Sequence, residues 1–398
     1  MESFVFDSYL LDPTRTAVTF AYLVGIERFE EKLYLPKPIS LSVDAHLLEA
    51  LFFNLHLACG ISYWKMKCPS HIEIKSGSLS KVQSAFWNMV YTKGLGEFYY
   101  RNKIDFRNLV EFPFVLEAHP EPKEMIFLNR ELVGIGGGKD SVVTWEHLKK
   151  EGKSAVGLVI ETQKKYESVN DLLSVGEIPV IRVRREMDGK LISGKNNALY
   201  HNGHIPISMI YAWIGIFCAV VYDYKAFVVS NEKSSEEGNT QMYGMSINHQ
   251  WSKSKEFEDA FSSYVHRTIS PSVQYYSPLR DLSELEIVQE FISYPQYLNV
   301  VTSCNKNFSV TRKMQDGRWC GECPKCAFAF LLFAAVLPKK DVVTLFGKNM
   351  LEDPTLTCLF RDILGKGGLK PFECVGTFEE SQAALRIIKK KGEFTISL

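Results

Sequence analysis

The sequence predicts an α/β fold: a parallel sheet with helices on both faces, a small α+β domain before it and a cysteine-bearing helical extension after it. Three observations predict this. From about residue 125, short apolar runs alternate with helical stretches, the pattern of βαβ units. A glycine-rich turn, Gly136-Gly137-Gly138-Lys139-Asp140-Ser141, joins the first apolar run to the helical stretch after it. Cys304 and the cluster Cys320, Cys323 and Cys326 follow the last run. The expected division is 1–118, 125–300 and 301–398.

A chain of 398 residues with 46% hydrophobic residues can build two or three well-filled cores. Lys plus Arg equals Asp plus Glu at 46 each. That balance leaves no global basic field, so no nucleic-acid partner is expected. Nine cysteines is an odd number and no signal peptide is apparent. A disulfide framework is therefore not expected, and the chain reads as cytoplasmic. The uncharged run from Ile205 to Tyr222 approaches membrane-span length. It carries Pro206, Ser208, Tyr211 and Gly215 and lacks basic flanks, so it reads as a helix buried against a sheet. No membrane partner is expected.

In the first segment, Phe4, Phe6, Phe20, Tyr22, Leu33 and Leu35 alternate with polar positions around the turn Asp12-Pro13-Thr14. The spacing predicts a small antiparallel sheet. Ser42 or Asp44 is placed to cap a helix carrying Leu47, Leu48, Leu51, Phe52 and Leu55. A second helix is expected around Val82–Tyr91, its aromatics in the core, and His46, His56 and His71 read as structural. The stretch 117–122 reads as a linker. Beyond it, strands are expected at Glu131–Ile135, Ala155–Ile160, Pro179–Val183, Ala226–Ser230 and Val273–Tyr276. Helices are expected at 141–150, 166–175, 206–222 and 255–267, with another after Ser277-Pro278-Leu279. Ligands of such a sheet bind at the carboxyl ends of its strands.

The glycine turn opens a helix and leaves backbone N–H groups uncovered, which makes it an anion site. Asp140 offers a carboxylate to a metal ion and Ser141 a hydroxyl to a phosphate oxygen. A Walker loop requires Ser or Thr where Asp140 stands, and a dinucleotide loop requires a glycine where Lys139 stands. The stretch resembles the Ser-Gly-Gly-x-Asp-Ser loop of the PP-loop ATP pyrophosphatases, with Gly136 in place of the usual Ser. That resemblance implies the adenine nucleotide alpha hydrolase-like sheet, ATP and Mg²⁺ as partners, and cleavage of ATP to AMP and pyrophosphate.

Polar clusters fall where strand ends are expected: Asn231-Glu232-Lys233 and the residues after it, Asn248-His249-Gln250-Trp251-Ser252-Lys253, and Asn202-Gly203-His204. Together they read as a substrate site. Cys304, Cys320, Cys323 and Cys326 offer four thiolates to a tetrahedral ion and are read as structural Zn²⁺, with an iron–sulfur cluster as the alternative. A redox pair would leave two nearby cysteines unexplained. The apolar stretch Ala327–Leu337 is expected to be a helix.

The glycine loop, the stretch 248–254, the cysteine cluster and Lys370-Pro371-Phe372-Glu373-Cys374-Val375-Gly376 together resemble the UDP-N-acetylmuramoyl-L-alanyl-L-glutamate epimerases of peptidoglycan synthesis, the MurL type. The likeness covers nearly the full length. It implies adenylation of the substrate's terminal α-carboxylate by ATP, then removal and return of the α-proton. His249, Cys374 and His204 titrate near the required range. Glu232 or Lys253 would serve with a shifted pKa, and Lys253 would otherwise neutralise phosphates. Asn231, Asn248, Gln250, Ser252 and Glu373 are expected to bind substrate. Two alternatives stay open: a carboxylate-adenylating synthase of the deazaguanine-synthase type, and a tRNA thiolase or nucleotide-binding regulator.

Overall fold

The structure is a computed structural model that describes residues 2–116, 122–194, 197–308 and 317–396. The N-terminal alternation folds as expected into an antiparallel meander of β1 (Ser3–Leu11), β2 (Ala17–Val24) and β3 (Glu27–Tyr34). Phe4, Phe6, Phe20, Tyr22 and Leu33 are buried. Asp12 fixes the first turn by accepting from the backbone N–H groups of Thr16 and Ala17. Helix α1 (Ala45–Trp64) starts at Asp44, whose carboxylate accepts from Leu47 N. By length and composition α1 would cross a membrane, but 67% of its apolar window is buried inside the fold. A Cβ added at Gly60 would lie 2.4 Å from the Phe6 ring, so helix and sheet touch there. A short strand, β4 (His71–Ile74), which the sequence did not announce, pairs parallel to β1 at the sheet edge. Helices α2 (Lys81–Lys93), with a Ser80/Gln83 capping box, and α3 (Gly96–Asn102) complete this segment. The linker expected at 117–122 lies, apart from Pro122, outside the described residues.

The βα alternation appears where it was expected. It runs β5 (Arg130–Gly134), α4 (Lys139–Lys150), β6 (Ser154–Thr162), α5 (Glu167–Val175), β7 (Val180–Glu186), the short α6 (Gly189–Ser193), α7 (Ile207–Val221) and β8 (Ala226–Val228). A small hairpin of β9 (Thr240–Met242) and β10 (Met245–Ile247) follows, then α8 (Lys255–Thr268), β11 (Gln274–Tyr276) and α9 (Glu284–Phe291). The uncharged run 205–222 forms the buried helix α7, as read. After a single turn, α10 (Asn305–Phe308), come α11 (Pro324–Val336), α12 (Lys339–Phe346), α13 (Thr357–Ile363) and α14 (Phe378–Lys391).

All strands but the hairpin form one nine-stranded sheet, in the order β11-β8-β5-β6-β7-β3-β2-β1-β4. Strands β5 to β8 and β11 are parallel, and β3 joins them antiparallel to β7 through Lys32–Tyr34 against Arg184–Glu186. The segments 1–118 and 125–300 thus share a sheet and an apolar core that runs from Phe4 to Tyr275. Arg185 on β7 fastens the join, donating to both oxygens of Glu31 on β3 at 2.6 and 2.9 Å and to Ser62 on α1 at 2.9 Å. Both charges are 1% exposed, and their bonds satisfy each other's burial. A second core packs α4, α5, α9, α11 and α14 on the other face.

Candidate active site

The glycine turn leaves the sheet at β5 and becomes the N-terminus of α4. Gly137 has φ +89°, and a Cβ there would meet a Val169 methyl at 3.2 Å, so glycine is required. At Gly136 a Cβ would meet nothing within 4 Å, so the missing Ser side chain would have had room. Gly138 caps α4 without any side-chain bond, leaving the first-turn N–H groups for a ligand. Ser141 donates to Gly138 O at 2.9 Å, holding the turn. Thr302 N donates to Gly137 O at 2.9 Å, so the chain entering the cysteine segment folds over the loop.

Lys139 binds Asp140 and Glu284. These three, with Glu232, Lys253, Lys325 and Cys374, line a cavity of about 80 Å³. Glu232 is 2% exposed, and its Oε2 has no hydrogen-bond partner among the described residues. Burial pushes the Glu284 carboxyl up to about 8; Lys139 opposes the shift, and Asp140 and Glu232 add to it. For Lys139, burial favours the neutral amine, but Asp140 and Glu284 outweigh it and hold its pKa above the ordinary lysine value. Lys253 is likewise raised against burial, by Cys374 and Glu232. Three carboxylates around one cavity, one with an orphaned oxygen, are the oxygen chemistry that a hard divalent cation takes, and Lys139 holds two of them here.

Cys374 reaches this cavity from the irregular segment before α14 and is hydrogen-bonded to His249. His249 Nδ1 lies 2.5 Å from Glu97 Oε2, and His204 Nδ1 lies 3.5 Å from the same oxygen. The two imidazole rings are 4.4 Å apart. Burial opposes charge on His249, yet its bonds to Cys374 and Glu97 carry its pKa up to about 9. Burial also opposes the Cys374 thiolate, but Lys253, Lys325 and His249 outweigh it and bring the thiol down to about 6. His204 is pushed down to about 3 by burial and by His249. Cys374 and His249 thus stand hydrogen-bonded at the edge of the carboxylate cavity, the thiol shifted down and the imidazole up.

The remaining expected residues build the site rather than line it. Asn239 ties two of its loops together, accepting from His249 N and donating to Pro371 O, each at 2.9 Å. Lys370, 3% exposed, adds an ion pair to Glu237 at 3.0 Å. Asn248 donates to Ser235 O and accepts from Gln250 N. Asn231 O accepts from Ser277 Oγ. Glu373 is bonded to Asn305, and Ser252 is buried. Gln250 keeps a buried Oε1 without a partner among the described residues. Sequence reading missed Glu97, Glu284 and Lys325. Glu284 follows the helix-capping Ser283 and reads as an ordinary first-turn acid; Lys325 hides between two cysteines. Glu97, set among glycines and aromatics, was the one legible oddity, a carboxylate inside an apolar run.

The sulfurs of Cys304, Cys320, Cys323 and Cys326 lie within 4.8 Å of one another, and those of Cys320 and Cys326 are 3.6 Å apart. That separation is far too long for a disulfide. It matches the edge, about 3.8 Å, of a tetrahedron with ~2.3 Å zinc–sulfur arms. A cubane cluster, with iron and sulfide between the thiolates, would hold them farther apart. The donor set fits one tetrahedral ion. The group Glu97, His204 and His249 does not, because 2.5 Å is a hydrogen-bond distance. Two ligands on ~2.0–2.1 Å arms would sit about 3.3 Å apart.

Residues 1–278 match the MurL N-terminal domain family and residues 300–397 the MurL C-terminal domain family. A curated relative from Micromonospora sp., named UDP-N-acetyl-alpha-D-muramoyl-L-alanyl-L-glutamate epimerase, is 36% identical over 99% of this chain and 88% of its own length. One of the same name from Xanthomonas oryzae pv. oryzae is 33% identical over 95% of this chain and 83% of its own. Among solved structures, a U34-tRNA thiolase NcsA from Methanococcus maripaludis, with its 4Fe–4S cluster, is 13% identical. It covers 42% of this chain and 58% of that one at a TM-score of 0.28, too low to bear on fold or cofactor. Matched by both family domains, and a third identical to curated members over nearly its whole length, this chain belongs to the MurL family.

Proposed function

We propose that the chain converts the terminal L-Glu of UDP-MurNAc-L-Ala-L-Glu to D-Glu in the cytoplasm, after adenylating its α-carboxylate with ATP. The name that its curated relatives carry supports the epimerisation. The observation that carries the chemistry is that Cys374 opens onto the same cavity as Lys139, Asp140, Glu232 and Glu284, beside an uncapped glycine loop. An α-proton next to a carboxylate is hard to remove, because the carbanion would sit beside a second negative charge. Forming the mixed anhydride with AMP removes that charge and lets the enolate form, and water then hydrolyses the anhydride to AMP and the free carboxylate.

The N–H groups at Gly137 to Asp140 would receive phosphate oxygens, with Lys253 as a neighbouring cation. Asp140, Glu232 and Glu284 would hold Mg²⁺, which neutralises the departing pyrophosphate. Cys374 takes the α-proton as a thiolate, and His249 keeps it ionised. Because His249 and Cys374 are bonded to each other, they act as one group on one face of the enolate. The proton for the other face comes from the Lys253 ammonium, which lines the same cavity. Structural Zn²⁺ at the four cysteines would set Lys325 beside Cys374. The test is incubation with ATP, Mg²⁺ and UDP-MurNAc-L-Ala-L-Glu, then chiral analysis of the glutamate released by acid hydrolysis. D-Glu, AMP and pyrophosphate are expected, and Asp140→Ala should lose pyrophosphate release while keeping the wild-type circular dichroism spectrum. ADP as product would overturn the adenylation step.

A further inference from the structure

Glu97 is a charged side chain where the fold should not tolerate one. It is 5% exposed, in the first turn of α3, between Gly96 and Phe98. Its two oxygens divide their work. Oε1 accepts from Arg101 Nε at 2.6 Å, one helical turn on, and Oε2 faces the Nδ1 atoms of His249 and His204. Arg101 is half out in solvent and stacks its guanidinium on Phe372, two residues before Cys374. The 2.5 Å contact to His249 occupies Nδ1, which leaves Nε2 as the nitrogen for the Cys374 thiol.

We propose that Glu97 is a positioning residue: it fixes the His249 ring with Nε2 toward Cys374 and keeps the shared proton on the imidazole. This inference rests on the reading of Cys374 as the group that takes the α-proton. The chemistry is that of any base–imidazole–carboxylate relay. A carboxylate on one ring nitrogen sets the ring's orientation and favours the imidazolium, which in turn favours the thiolate. Other charges face the same rings: Arg101 on α3, Lys65 at the end of α1, His204 on the loop before α7, and Lys253 and Lys325 across the thiol. Among these Glu97 is the acid that touches His249. The N-terminal segment, which otherwise only extends the sheet, thereby supplies part of the proton-transfer group.

The pH dependence of Cys374 alkylation by iodoacetamide tests this, with each modified peptide identified by mass and Cys374→Ser as the blank. In the wild type, alkylation at Cys374 is expected to rise with a midpoint near pH 6. In Glu97→Gln, which keeps shape and removes charge, the midpoint should move up by at least one unit. Alkylation at pH 6.5 should slow at least about threefold, and kcat should fall more than KM changes. Glu97→Asp keeps the charge but shortens the reach, and should fall between the two; it also serves if the Gln variant does not fold. Arg101→Gln removes the other partner and should leave the midpoint within a few tenths of a unit. An unchanged midpoint in both Glu97 variants would overturn the positioning role. If Cys374→Ser retains full epimerisation while the midpoint still moves, the reading of Cys374 as the proton acceptor has failed and the Glu97 relay stands.

Discussion

At Cys374 two effects oppose each other on one thiol. Burial favours the neutral form; the charges of Lys253, Lys325 and His249 favour the thiolate and win, giving about 6. The sign of the linkage follows. A pKa depressed by folding contributes stability that is present above the unfolded value and lost as pH falls through about 6. For His249, raised to about 9, the contribution is present below the unfolded value and lost as pH rises through about 9. The charged pair thus occupies the window between. We expect kcat/KM for α-proton exchange in D₂O to fall below about pH 6 and above about pH 9, and the melting-temperature advantage of the wild type over Cys374→Ser to shrink between pH 8 and pH 5. A flat profile across that range would remove the pair from the mechanism. Cys374 and His249 were legible because both stand in stretches with a family likeness, although nothing in the sequence paired them. Their contact, like that with Glu97, joins positions more than a hundred residues apart, and no local spacing rule encodes such a meeting.

Among the elements, local periodicity was the dependable signal. The five parallel strands and the helices between them lie within a few residues of their expected places, because each alternates or repeats over a length that local chemistry sets. The edge strand β4 and the hairpin β9–β10, three or four residues each, are too short to carry a period. Strand order was not legible either. The join of β3 to β7 brings two distant segments side by side, and the Glu31–Arg185 pair that fastens it looks in sequence like two ordinary surface charges. Close packing of helices on the sheet makes a definite demand at α7. A Cβ at Gly215 would stand 2.2 Å from the Phe227 ring on β8. Neither element has room to move, since both are buried. Gly215→Ala is expected to cost about 1–3 kcal/mol by overpacking, read by denaturant unfolding, even though alanine is the better helix former. No loss of stability would show that the sheet yields more readily than its packing implies.

Over the whole molecule, the four-cysteine cluster links stability to chemistry. Cys323 caps α11 and Cys326 lies in its first turn, with Lys325 between them on the wall of the cavity. Metal analysis should return one zinc per chain. Because metal binding is coupled to folding, stripping it with a chelator should lower the melting temperature, and Cys320→Ser should do the same without chelator. Lys325→Ala, with the cluster intact, should keep the wild-type melting temperature and move the Cys374 alkylation midpoint upward. Iron with sulfide in the purified protein would contradict the single-ion geometry. The cluster was legible from spacing alone. Its distance from the active site was not, since only the fold lays the segment at Thr302 over Gly137.

The order in which the site's parts occur along the chain has a consequence for synthesis. Glu97 is translated first, then the glycine loop, then His249, and Cys374 last of these. At ~5–20 residues per second, roughly 10–50 seconds separate the loop from Cys374 on the ribosome. For most of that interval the segment that closes the loop at Thr302, and the lysine at position 325, are missing. A nascent chain therefore carries the glycine loop with no finished chamber behind it. The wall that faces the loop is completed only when Cys374 has been made and folded into place.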